Sequence, residues 1–245
     1  CAREKTPAVR ALIGLGADLH ATDNDGLTPL HRAMQERSDD VIDAYVQALG
    51  GKADFDAPSQ NGDTPLMIAV RTGFTRSVDK LLAAGADVTR AQPDTGRTAL
   101  HIALAERQSG LALSLAVALQ ARQINPDTQA DKDGDTPLHA AMRGHDVLVS
   151  EKLIECGADV SRRNAAGETP LHVALASHAF GMADLLLSAG AKVDIADNNG
   201  DTPLHIAVRA HNAEAVKELL ERGARVLTPN AAGETPVDIA LREEL

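Results

Sequence analysis

The apolar positions of this chain recur at helical spacing and are interrupted at regular points by glycine. From Asp133 to Asp159 the sequence reads DGDTPLHAAMRGHDVLVSEKLIECGAD. Asp133-Gly134 makes a tight turn, because glycine accepts the positive φ that such a turn requires. Thr136 is placed to cap a helix, and Pro137 falls in its first turn, where a missing N–H costs nothing. A second apolar stretch, VSEKLI, follows at helical spacing. Gly157 ends it as a left-handed C-cap. The unit is therefore two short antiparallel helices and a projecting finger. One such unit cannot bury its own apolar face, whereas stacked neighbours can, so stability is largely nearest-neighbour.

The unit recurs along the whole chain. TPLH stands at Thr28–His31, Thr136–His139, Thr169–His172 and Thr202–His205, with TPLM at Thr64–Met67, TALH at Thr98–His101 and TPVD at Thr235–Asp238. The glycine before each copy falls at 26, 62, 96, 134, 167, 200 and 233, in steps of 36, 34, 38, 33, 33 and 33. A 33-residue period carrying T-P-L-H-x-A resembles the ankyrin-repeat family. The resemblance implies an all-α solenoid of helix-turn-helix repeats with β-hairpin fingers. It also implies a non-catalytic module that binds a partner protein. On this register residues 1–245 form one domain: a half repeat at 1–24, whole repeats at 25–60, 61–94, 95–132, 133–165, 166–198 and 199–231, and a C-terminal cap at 232–245.

Two repeats depart from the pattern. Repeat one carries three extra residues within AMQERSDDVIDAYVQALGGKADF. Repeat three carries two before Ile124 and three in the finger, and Ala121-Arg122-Gln123 stand where Gly-Ala-Asp is expected. Lengthening a loop costs little, so the long finger Asn125–Asp133 reads first as neutral drift and second as a contact element. Repeat three is the expected weak joint of the stack. At the N-terminus, Cys1 aligns with Val208, in a column otherwise filled by Met34, Val70, Leu104, Met142 and Leu175. The start therefore reads as a cut through a longer protein. A mature bacterial lipoprotein, secreted or lipid-anchored and inhibiting an enzyme, is the alternative. A half repeat would leave Val9, Leu12 and Ile13 exposed.

Composition narrows the function classes. Apolar residues make up 44% of the chain, but aromatic ones only 2%, so the core is built from Leu, Ile, Val and Ala. The net charge of −11 argues against a nucleic-acid backbone as partner. Two cysteines give no disulfide framework, and no apolar run approaches the 18 residues of a membrane span. A monomer is expected. A cytoplasmic location is favoured, with the periplasm or secretion as alternatives.

Candidate chemistry is mostly absorbed by the register. His31, His101, His139, His172 and His205 share the TPLH column, where the family ties one finger to its neighbour. His145, His178 and His211 share a column six residues later, at the turn between the helices. Zinc needs four convergent ligands, and no cysteines accompany these histidines. DKDGD at Asp131–Asp135 lacks the glycine and glutamate positions of a calcium loop. Cys156 reads as a partly exposed, unremarkable thiol. No nucleophile motif, phosphate loop or dinucleotide fingerprint is present. No enzyme activity, metal or cofactor is expected.

What remains is a binding face. In the family it is concave, formed by finger residues flanking the glycine and by late positions of the first helix. Carried over by register, it includes Gln35, Glu36, Arg71, Glu106, Arg143 and Arg209 from the helices, and Asp63, Arg97, Lys132, Asp135 and Asp201 from the fingers. Asp63 with Arg71, Asp135 with Arg143, and Asp201 with Arg209 are each eight residues apart, in alternate repeats. Ala105 and Ala176 stand where the intervening arginines would be. The plainer reading is three exposed ion pairs, each contributing about 0–1 kcal/mol. The sharper one is a row of arginines, edged by acidic fingers, that grips an extended or helical partner. Arg32, Arg37 and Arg107 add basic character along that edge.

Overall fold

The computed structural model describes residues 11–12, 14–49 and 55–242. Cys1, Val9 and Ile13 lie outside the described residues. The chain divides into two compact units, 1–122 and 123–245. The boundary falls inside repeat three, at the departure from pattern seen in the sequence.

In the first unit, α1 (Pro29–Gln35), α3 (Pro65–Arg71) and α5 (Ala99–Ala105) pack in series as one layer. Helices α2 (Asp39–Leu49), α4 (Thr75–Ala83) and α6 (Ser109–Ala121) form the second layer, each antiparallel to its partner in the first. In the second unit, α7 (Pro137–Gly144), α9 (Pro170–Ala176), α11 (Pro203–Arg209) and α13 (Pro236–Arg242) make the first layer. Helices α8 (Val147–Glu155), α10 (Phe180–Ser188) and α12 (Ala213–Glu221) make the second. The first helices are almost wholly buried: in α9, every residue from Pro170 to Leu175 is. Core residues are Leu, Ile, Val, Ala and Met, as the composition required. The fingers are tight loops rather than extended strands. Among the described residues, one isolated antiparallel bridge, Ala91 to Thr98, is present.

The threonine–proline starts behave as expected, and histidine completes them. The Thr136 N–H donates to His139 Nδ1 (3.2 Å), and the Thr136 hydroxyl lies 2.8 Å from the same nitrogen. Because Nδ1 accepts, Nε2 carries the proton, and it donates to the Glu168 carbonyl of the next finger (3.1 Å). The same bond runs from His31 to Asp63, His172 to Asp201 and His205 to Glu234, each at 3.1 Å. Burial lowers the pKa of His31, His139 and His172, which keeps these imidazoles neutral.

Among the described residues, helix ends are set by left-handed residues after the first helix and after the second. After the first helix they are Arg37, Gly73, Arg107, His145, His178 and His211. The second histidine column is therefore a backbone position that turns the chain, not a site. After the second helix the left-handed residue is Gly85, Gly157, Gly190 or Gly223, but Gln123 in repeat three. The insertion there differs from the sequence reading. Helix α6 has 13 residues, where α4, α8, α10 and α12 have 9. Four of the extra residues thus add one helical turn, which preserves the buried face because a turn takes 3.6 residues. The long finger is also not a free projection. Residues Pro126–Gln129 form a 3₁₀ turn with Pro126 and Gln129 buried. Asp127 accepts the Asp159 N–H of the next repeat (2.8 Å).

Candidate binding surface

Each finger is closed by its own first residue. In the second unit Asp131, Asn164, Asp197 and Asn230 each receive a backbone N–H from the residue four places on, at 2.9–3.0 Å. The tips then bond to one another. Ala165 N–H donates to Asp133 O, Asn198 to Ala166 and Ala231 to Asn199, all within 2.9 Å. The glycine at the tip is required twice over. Gly134 has φ +73°, and a Cβ there would lie 2.9 Å from the Ala165 nitrogen. The finger face is therefore fixed by the backbone, and its side chains project from a rigid edge.

The ion pairs found by spacing are present, but they are not the exposed pairs of the plainer reading. Asp135 and Asp201 are buried, at 7% and 6% exposure. The Arg143 guanidinium forks onto Asp135, with Nη1 on Oδ2 and Nη2 3.2 Å from Oδ1. Arg209 does the same to Asp201, with Nη2 3.0 Å from Oδ1. A third ligand comes from the following finger: Asn164 Nδ2 donates to Asp135 and Asn230 Nδ2 to Asp201, both at 2.8 Å. Burial raises the Asp135 carboxyl, but the Arg143 and Asn164 hydrogen bonds and the Arg143 charge outweigh it and leave the group below its ordinary value. Asp201 is lowered by the same balance, with Arg209 and Asn230 as donors.

In the first unit the matching group is looser. Arg71 Nε lies 3.5 Å from Asp63 and its Nη1 3.7 Å from Glu106, while Gln92 donates to Asp63 at 2.7 Å. Arg71, Asp63, Arg32 and Gln35 line a cleft of 440 Å³ between the first two fingers. Arg32 is committed to Asp23 (2.6 Å) and Asp25 (3.2 Å), so it adds no net basic character there. Arg37 is bound to the Thr72 carbonyl. Glu36 and Arg97 are exposed on this unit, and Lys132 is exposed at its fingertip on the other.

One pair was missed. Arg242 reaches Glu234 eight residues before it, the same relation as in repeats four and six. The signal was available in the spacing, but Glu replaces Asp and the pair falls outside the alternation. Cys156 is half-buried, and burial pushes its thiol pKa up, so little thiolate forms at neutral pH. Among the described residues no group of acidic, histidine or cysteine side chains is arranged to hold a metal. No helix there is long and apolar enough to cross a membrane.

Comparison with known proteins agrees with the architecture. A family model described as ankyrin repeats (3 copies) matches residues 1–92, 46–122 and 112–197, and a second, described as ankyrin repeats (many copies), matches 186–240. Over 148 residues, 60% of this chain, it is 30% identical to alpha-latrotoxin-Lg1a of Latrodectus geometricus. It is 32% identical over 137 residues, 56% of this chain, to neurogenic locus notch homolog protein 1 of Homo sapiens. It is 31% identical over 148 residues, 59% of this chain, to the nuclear factor NF-kappa-B p105 subunit of Mus musculus. The matched parts are 10%, 5% and 14% of those proteins. The solved ankyrin repeat domain of Bcl-3 superimposes with a TM-score of 0.74 at 28% identity, over 88% of this chain and 95% of that one. The chain belongs to the ankyrin-repeat family, and as such is a protein–protein interaction module.

Proposed function

We propose that the chain binds a protein partner across the face made by its fingers and the ends of its first helices. The observation that carries this reading is the set Arg71, Arg143 and Arg209. Each projects from a first helix, is partly exposed, and is oriented by a finger carboxylate. A guanidinium fixed in this way loses little rotamer entropy when a partner docks, and arginine is enriched where interfaces concentrate their binding energy. Asp63, Asp135 and Asp201 orient the arginines. Gln35, Glu36, Glu106, Arg97 and Lys132 supply flanking contacts. The partner is a protein, and the module acts without cofactor or catalysis.

The test is affinity capture with three baits. The second bait carries Thr72→Trp and Ala210→Trp, which block the face in both units without touching an ion pair. The third carries Lys217→Trp on α12, in the second layer. A partner held by the first and third baits and lost by the second supports the reading. A partner lost only with Lys217→Trp overturns it.

A further inference from the structure

The second unit contains one finger twice. Residues 164–170 and 230–236 are both NAAGETP, and each is followed by a first helix. The copies share the asparagine that closes the loop and the acid at its fifth position. They differ eight residues after that acid. The second copy has Arg242, whose guanidinium binds Glu234. The first has Ala176, which is exposed. Glu168 is left with Asn164 Nδ2 at 2.9 Å and Arg143 Nη2 at 3.8 Å, both on Oε2, and Oε1 has no hydrogen bond among the described residues.

We propose that the space over Ala176 is a slot for an arginine side chain of the partner, which pairs with Glu168 as Arg242 pairs with Glu234. The inference rests on the protein-binding reading above and adds the chemistry of the contact. Three places in this unit show a guanidinium supplied in cis to a finger acid, at Asp135, Asp201 and Glu234. The fourth, Glu168, has the same backbone and no cis donor. Arg143 does not fill the slot. Its fork is on Asp135, and its Nη2 stands 3.8 Å from Glu168 Oε2, beyond hydrogen-bond reach. Charge agrees: around this slot the fingers and helix ends carry Asp135, Glu168, Asp197 and Asp201 against Arg143, Arg163 and Arg209; Arg143 and Arg209 are committed to Asp135 and Asp201, and Arg163 to the Gly167 carbonyl and Asn198. An incoming carboxylate would meet that excess of acid, whereas a basic side chain is favoured by it.

The experiment titrates the isotope-labelled full chain with acetyl-arginine amide at low ionic strength and follows backbone amide shifts by NMR. Wild type is expected to show saturable shifts at Glu168, Thr169, Ala176 and Ser177. Ala176→Arg supplies the guanidinium in cis, as Arg242 does, and is expected to abolish them with the fold intact. Glu168→Gln is expected to abolish them too. Shifts spread evenly over all acidic fingers, or unchanged in Ala176→Arg, overturn the slot. The face itself is read separately. A partner lost with Ala210→Trp but kept with Ala176→Arg overturns the slot and leaves the face standing.

Discussion

The fingers at 131–135 and 164–168 share one backbone but carry two chemistries, and the pair recurs at 197–201 and 230–234. The first kind opens with Asp and has, at its fifth position, an Asp that is buried under an arginine. The second kind opens with Asn, and its fifth position is a Glu nearer to solvent. The asparagine of the second kind completes the carboxylate of the first. Two successive repeats therefore share one electrostatic group. A boundary within such a pair is crossed by that amide as well as by the histidine bond, and a boundary between pairs is crossed by the histidine bond without it.

The sharpest way to break this pairing is Asn164→Asp. It sets a second carboxylate against buried Asp135, where an amide now donates at 2.8 Å. Urea unfolding at neutral pH is expected to show a loss of about 2–4 kcal/mol, because a buried charge loses a donor and gains a like neighbour. The arginines test the difference between the two fingers. Arg209→Ala strands a buried carboxylate and is expected to cost about 1–2 kcal/mol, between the values for buried and exposed pairs. Arg242→Ala, facing a half-exposed glutamate, is expected to cost less than about 1 kcal/mol. Thermal unfolding of the two variants side by side checks the order.

Acid titration separates the groups further. Asp135 and Asp201 are lowered in the folded state, so their contribution is complete above the unfolded carboxylate value and is lost as pH falls below about 4. The lowered histidines act in the same sense, with loss starting as pH falls below about 6.5. Asp184 acts in the opposite sense. Partial loss of solvent, with the neighbouring Glu218 carboxylate, raises it to about 6, so the stabilisation from its protonated form is lost as pH rises through that value. Burial raises Asp127 in the same sense as Asp184, so in a background carrying Asp127→Asn and Asp184→Asn stability is expected to fall from about pH 6.5 downwards. Adding Asp135→Asn and Asp201→Asn is expected to flatten the part below about pH 4. The smallest effect is expected of Asp197→Asn, which gives a finger of the first kind the opening residue of the second. The closing bonds at 2.8 and 2.9 Å go to Oδ1, which asparagine retains. The change in stability should stay within about 1 kcal/mol.

Much of this was legible in the sequence because it is local. Thr136 and Pro137 announce a helix start, Gly134 a turn and Gly157 a helix end, whatever surrounds them. Seven copies of one pattern then fix the architecture. The spacing of eight also found Asp135 with Arg143 and Asp201 with Arg209, since both partners lie in one repeat. Their burial was not legible, because it comes from the neighbouring finger folding over them. Asn164 and Asn230 went unnoticed for the same reason: each acts on a carboxylate 29 residues away. The insertion in repeat three was misplaced because alignment counts residues, while a helix absorbs them by turns.

The sequence by itself determined the repeat, its helices and turns, its Leu- and Ala-built core, and which side chains share a column. These follow from backbone preference and periodic burial, which each repeat states for itself. Only the tertiary structure decided which charges are buried and which side chains of the next repeat complete them. Those properties belong to no single repeat. They arise where two repeats meet, and are set by the distance between groups that the sequence holds far apart.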